Sequence, residues 1–154
     1  MTDTAGGSSD PTMQVLTADE CYRLLATHEI GRIVVNAERY PLALPVNYGL
    51  DGTTLVIRTH PGTLPQAAEH TTLTFEVDDI DRRTRTGWSV IVHGQAEEVA
   101  PAQREELVAR TRAAGVEPWA PGEHGTWIRL TTHEISGHRI VPGELPGLDP
   151  HGYL

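Results

Sequence analysis

The sequence contains no lysine, so its 12 basic residues are all arginines, set against 21 acidic ones. The net charge of −9 and the lack of any basic block argue against the phosphate-backbone attraction that drives nucleic-acid binding. The acidic excess itself speaks only to solubility. The single cysteine, Cys21, excludes an intrachain disulfide, which suits a reducing cytoplasm. No apolar run is long enough to span a membrane and no signal-peptide pattern opens the chain, so a cytoplasmic protein is expected. Aromatic residues are few: one Phe, four Tyr and three Trp. There is no Gly-x-Ser-x-Gly elbow and no Ser/His/Asp order of a hydrolase, so no catalytic side chain is named. The eight histidines (28, 60, 70, 93, 124, 133, 138 and 151) show no zinc-type spacing with cysteine or carboxylate support, so no metal site is expected. The acidic run "EVDDID" reads as a solvated strand end rather than a cation site.

What is present fits one domain of 154 residues, long enough for a core without staples. Residues 1–14 read as a disordered tail of small polar residues, and 143–154 as an irregular tail rich in Pro and Gly. Thr17 and Glu20 form a capping box, and Cys21, Leu24, Leu25 and His28 follow at helical spacing until Gly31 ends the pattern. Strands then dominate. "RIVVNA" is β-branched, and "LALPVNYGL" alternates around Pro45, which suggests an edge or a bulge. Asp51-Gly52 signals a hairpin into "TTLVIRT". Pro61 suits the first turn of a short helix reaching His70. Strands are expected over 71–80 and 86–100, a helix over 101–115, and one or two strands over 125–140. Many antiparallel strands with a few short helices indicate a mainly β barrel rather than a sandwich.

The ordered pieces "IGRIVV", "PLALPVNY", "VIRTHPGT", "FEVDDIDRRTRTGWSVIVHG" and "WIRLTTHEISGHRI" occur in a specific order. In that order they resemble the pyridoxamine 5'-phosphate oxidase-like, flavin-binding split-barrel family, over residues 15–142. The resemblance implies a six-stranded antiparallel split β-barrel with short flanking helices. It also implies a homodimer, with FMN in grooves built from both chains. Deazaflavin or FAD are the alternative cofactors.

The resemblance also nominates site residues. Arg58, Thr59, Gly62 and Thr63 match the family's phosphate turn. There a glycine admits close backbone approach, and free amides at a helix N-terminus favour an anion. The family's lysine falls at Leu64, beside Pro65, so that cation is missing; Arg82, Arg83 and Arg85 are candidate substitutes. Trp88 and Ser89 stand where relatives approach the flavin ring, with indole to pack on it and a hydroxyl to bond its polar edge. Asn47 is the polar candidate in "PVNYG", and His138 and Arg139 stand where relatives often carry two arginines. The implied function is a flavin-dependent oxidoreductase acting on a small molecule. The alternatives are a deazaflavin-dependent reductase, a non-catalytic flavin or ligand-binding protein, and a ligand-free structural dimer. True pyridoxamine 5'-phosphate oxidase activity is disfavoured, because a phosphorylated substrate needs its own cluster of cations and this chain is poor in them.

Overall fold

The computed structural model describes residues 10–36, 39–59, 72–113 and 125–143. Nine elements follow one another: β1 (Thr12–Val15), α1 (Ala18–Leu25), β2 (Ile30–Asn36), β3 (Pro41–Asp51), β4 (Thr54–Thr59), β5 (Thr72–Asp81), β6 (Thr86–Glu98), α2 (Pro101–Ala113) and β7 (Thr126–Val141). The strands pair in the order β1-β7-β4-β3-β2-β5-β6, and β6 pairs back onto β7. Six antiparallel strands therefore close into a barrel and β1 is added outside it, as a mainly β barrel requires. Closure depends on the length of β7. One edge runs along β6, while the other pairs with β4 at Thr126–Leu130 and with β1 at His138–Val141. Among the described residues no helix is long and apolar enough to cross a membrane.

Alternation along the strands fills the barrel. Ile33, Val35, Tyr48, Leu55, Ile57, Phe75, Val77, Val90, Val92, Ile128 and Leu130 form one buried cluster. Helix α1 closes one end with Cys21 and Leu25. Burial pushes the Cys21 thiol up, away from the reactive thiolate. The Tyr48 hydroxyl donates to the Leu25 carbonyl at 2.6 Å, and burial raises its pKa. A second, smaller cluster lies outside the barrel, where Leu107 of α2 packs with Val56, Val99 and Trp127.

The capping box forms as expected: Glu20 N–H donates to Thr17 Oγ1 at 3.3 Å and Thr17 N–H to Glu20 Oε2 at 2.8 Å. The helix, however, stops at Leu25 with Ala26 as its cap, so His28 lies beyond it and Gly31 is not its terminator. Gly31 is instead the second residue of β2. A Cβ there would overlap the Phe75 ring and Val77, so glycine is required for packing. Asp51-Gly52 does turn β3 into β4, with Gly52 at φ 64°. Among the described residues Pro45 pairs with Arg32 of β2.

One boundary differs from expectation. Thr12, Met13 and Gln14, expected to end a disordered tail, join Val15 in β1 and pair with β7, although all four side chains are exposed. Residues 126–141 form a single strand, one of the two arrangements expected. The helix expected from Pro61 to His70 lies outside the described residues, and so do Gly62, Thr63, Leu64 and Pro65.

Candidate functional site

The nominated residues fall into two groups on different parts of the barrel. The first sits where β3, β4 and β7 meet. Arg58 is the register partner of Asn47 on one side and of Trp127 on the other. All three therefore project from the outer face, opposite to Tyr48 and Ile57. The Arg58 guanidinium lies 5.7 Å from the Trp127 ring centroid, in cation–π range. Gly125 leaves it room: a Cβ at that position would meet Arg58 Nε and the adjacent methylenes. The Arg58 side chain is half-buried against an indole. Asn47 carries a buried Nδ2 with no hydrogen-bond partner. Thr59 does not stand beside Arg58. Alternation turns it to the barrel side, where it is 7% exposed, so the Arg-Thr pair splits across the sheet.

The second group lines an open groove of about 800 Å³ on the outer face of β5, β6, β7 and β1. Trp88, Ser89 and His138 border it together. Two rows of register partners build its floor. One is Met13, Ile140, Gly87 and Ile80; the next is His138, Ser89 and Asp78. Met13, Ile80 and Ile140 are exposed apolar side chains at 70%, 64% and 40%. A contiguous apolar face of this kind marks a binding surface. At the β5–β6 turn, Arg82 and Arg85 reach the groove and Arg83 does not. Asp81 shapes that turn by accepting from the Arg83 and Thr84 amides, which hold its carboxyl below the usual range. Arg139 is not part of the groove lining. It is the register partner of Trp88 and lies toward α1, where it adds a small share to the lowered pKa of Glu20, after the hydrogen bonds from Thr17.

Trp88 is held from behind. Its ring meets His28 at 90° with centroids 5.0 Å apart. Thr27 Oγ1 donates to the Leu24 carbonyl at 2.6 Å and so accepts from His28 Nδ1 at 2.8 Å, while His28 Nε2 faces Asp79 Oδ2 at 3.4 Å. The acidic run resolves in the same region. Arg32 Nη1 donates to Asp78 at 2.6 Å and to Glu76 at 2.9 Å, and these bonds, Asp78 first, raise its pKa further. Arg32 and Trp127 carried no local sequence signal, because each acquires its neighbours only through strand pairing.

With this geometry in hand, comparison with known proteins is decisive. Residues 17–145 match the family model for pyridoxamine 5'-phosphate oxidase. The chain belongs to that family. It is 35% identical over 132 residues to an uncharacterized protein of Mycobacterium tuberculosis, covering 82% of this chain and 84% of the relative. Among solved structures it resembles an FAD-binding protein from Mycobacterium smegmatis, at 30% identity and a TM-score of 0.62, over 83% of this chain and 98% of the other. It also shares its fold with an FAD-binding protein from Mesorhizobium loti, at 20% identity and a TM-score of 0.64, over 85% of this chain and 98% of that one.

Proposed function

We propose that this family member binds a flavin between two copies of the chain and acts as an oxidoreductase on a small molecule. The observation that carries the reading is the separation of the two residue groups. Asn47 and Arg58 lie on β3–β4, whereas Trp88, Ser89 and His138 lie along β6–β7. Residues that suit one ligand but sit on different faces of one barrel meet only when a second copy supplies the other half. The exposed apolar row of Met13, Ile140 and Ile80 gives a second copy a surface to cover.

The residues fit such a cofactor. The buried, partnerless Nδ2 of Asn47 beside Arg58 offers donors to an anionic or carbonyl group. Trp88 offers a flat apolar wall, while Ser89 and His138 offer donors at a ring edge. When bound, a flavin supplies hydride and electron transfer. The chain's own part is to orient the ring through Trp88, fixed by His28 and Asp79, and to keep water from it with the apolar floor of the groove.

FMN is our first assignment. FAD is the second reading, favoured by the M. smegmatis FAD-binding structure at 30% identity; deazaflavin is the third cofactor to be compared. Titrating purified protein with FMN, FAD and deazaflavin, followed by absorbance and protein fluorescence, tests the reading. Saturable binding of one of them at one site per chain supports it, and failure of all three to bind removes it.

A further inference from the structure

Helix α1 ends at Leu25, and the three residues after it fold back against its last turn. Ala26 N–H donates to the Tyr22 carbonyl at 3.0 Å, Thr27 N–H to the Leu24 carbonyl at 3.0 Å and His28 N–H to the Leu25 carbonyl at 3.3 Å. These bonds fix the backbone of His28. Its ring is held separately, by one contact at each nitrogen. The Thr27 hydroxyl commits its proton to the Leu24 carbonyl, so toward Nδ1, at 2.8 Å, it accepts. Nε2 faces Asp79 Oδ2 at 3.4 Å, and a carboxylate also accepts. Both ring nitrogens therefore face acceptors. A neutral imidazole carries one proton and satisfies one of them, whereas an imidazolium satisfies both.

The third contact is the indole of Trp88, perpendicular to the imidazole with centroids 5.0 Å apart. Asp79 and Trp88 are register partners on β5 and β6, so their side chains stand side by side. His28 spans the two from the end of α1. The other charged groups around it have their own places. Arg139, the partner of Trp88 on β7, lies toward Glu20. Asp78, next to Asp79, is bonded to Arg32 at 2.6 Å, and His138 lines the groove. Arg23 of α1 donates its Nε to the Asp19 carbonyl at 3.3 Å. Glu29 follows His28, and its carbonyl accepts from Tyr48 N–H at 2.9 Å.

We propose that His28 is a proton-dependent positioning residue for Trp88. As an imidazolium it ties the helix end, Asp79 and the indole into one clamp. On losing its Nε2 proton it turns a lone pair toward the Asp79 carboxylate. That side of the clamp opens while the Thr27 side stays closed, and the indole moves with the imidazole it abuts. The Asp79 side chain is 59% exposed, so its carboxylate can swing into water and the change stays local. Histidine is the residue type able to make such a contact respond to pH near neutrality. The clamp needs no flavin; only its effect on a ligand rests on the flavin reading.

Nuclear magnetic resonance of the full-length protein over about pH 5–8 tests this. The His28 ring nitrogens are identified by their loss in His28→Gln, and the Trp88 indole N–H by its loss in Trp88→Phe. On the acid side both His28 nitrogens should carry protons, and on the basic side the remaining proton should sit on Nδ1. The Trp88 indole signal should shift in step with that titration, and the step should vanish in His28→Gln. Asp79→Asn, at an exposed position, separates the clamp from a mere neighbour effect. Its amide can accept from Nε2–H or donate to the bare Nε2, so the Trp88 signal should stay nearly constant while His28 still titrates. A neutral form protonated at Nε2, a Trp88 signal indifferent to the His28 titration, or an equal step in Asp79→Asn overturns the proposal. A second arm titrates riboflavin on both sides of the step. Wild type should bind it severalfold more tightly on the acid side, and His28→Gln should bring that ratio toward one; an unchanged ratio overturns the positioning role. If riboflavin and FMN both fail to bind while the resonance results hold, the clamp stands and the flavin reading falls.

Discussion

Replacing Arg58 with alanine separates a ligand-binding role from a structural one, and the structure sets both magnitudes. On the structural side, the guanidinium lies 5.7 Å from the Trp127 centroid and is half-buried. A cation–π contact in such a setting contributes about 0.5–1 kcal/mol. For a domain of this size, that lowers the melting midpoint of flavin-free protein by roughly 1–4 °C. On the ligand side, a hydrogen bond to a charged group contributes about 1.5–3 kcal/mol, equivalent to roughly ten- to hundredfold in affinity. Arg58→Ala should therefore weaken FMN by at least about tenfold while costing only a few degrees of stability. Arg58→Lys should recover part of the affinity, since it keeps the charge and loses the fork. The assay is FMN and riboflavin titration by fluorescence at low and high salt, with calorimetric melting of the flavin-free protein. The loss should be confined to FMN and should shrink with salt, because part of it is Coulombic. A fall of many degrees with flavin affinity intact would refute the reasoning and make Arg58 a residue of the fold.

Leu64→Lys supplies the cation that the family resemblance implies at this position and should tighten FMN in a salt-sensitive way; an unchanged affinity counts against a phosphate held near position 64. Sedimentation at micromolar concentration should give roughly twice the 16.8 kDa chain mass, and a clean monomer removes the two-chain site. Gly31→Ala forces a methyl group into the Phe75 ring and should destabilise by about 1–3 kcal/mol, as overpacking does; a denaturation midpoint equal to wild type contradicts that packing. Asp81, whose folded pKa is held low by the Arg83 and Thr84 amides, adds stability that is present above the ordinary carboxylate value and lost as pH falls through the folded one. Asp81→Asn should accordingly flatten the acid side of the stability profile, and an unchanged acid limb would show that these bonds do not persist in solution.

Where the sequence was legible, the cause was local. The Thr17–Glu20 box and the Asp51-Gly52 turn are short-range chemistry, and each forms where expected. Alternation exposed the strands because one face of each is buried. Where the sequence misled, the deciding neighbour was distant in the chain. Gly31 reads as a helix stop, yet its lack of a Cβ answers to Phe75, 44 residues away. Residues 12–14 read as the end of a tail, but they pair with β7 through main-chain bonds that composition does not register. The Arg-Thr motif shows the same limit within the site. Adjacent residues on a strand face opposite ways, so a linear match nominates Arg58 and Thr59 together while the sheet keeps only Arg58 on the outer face. The neighbours that Arg58 does acquire, Asn47 and Trp127, stand 11 and 69 positions from it in the sequence, and pairing of β3 and β7 against β4 brings them there. A sequence motif at this barrel is thus half of a geometric one. Its remaining members come from whichever strands closure sets alongside.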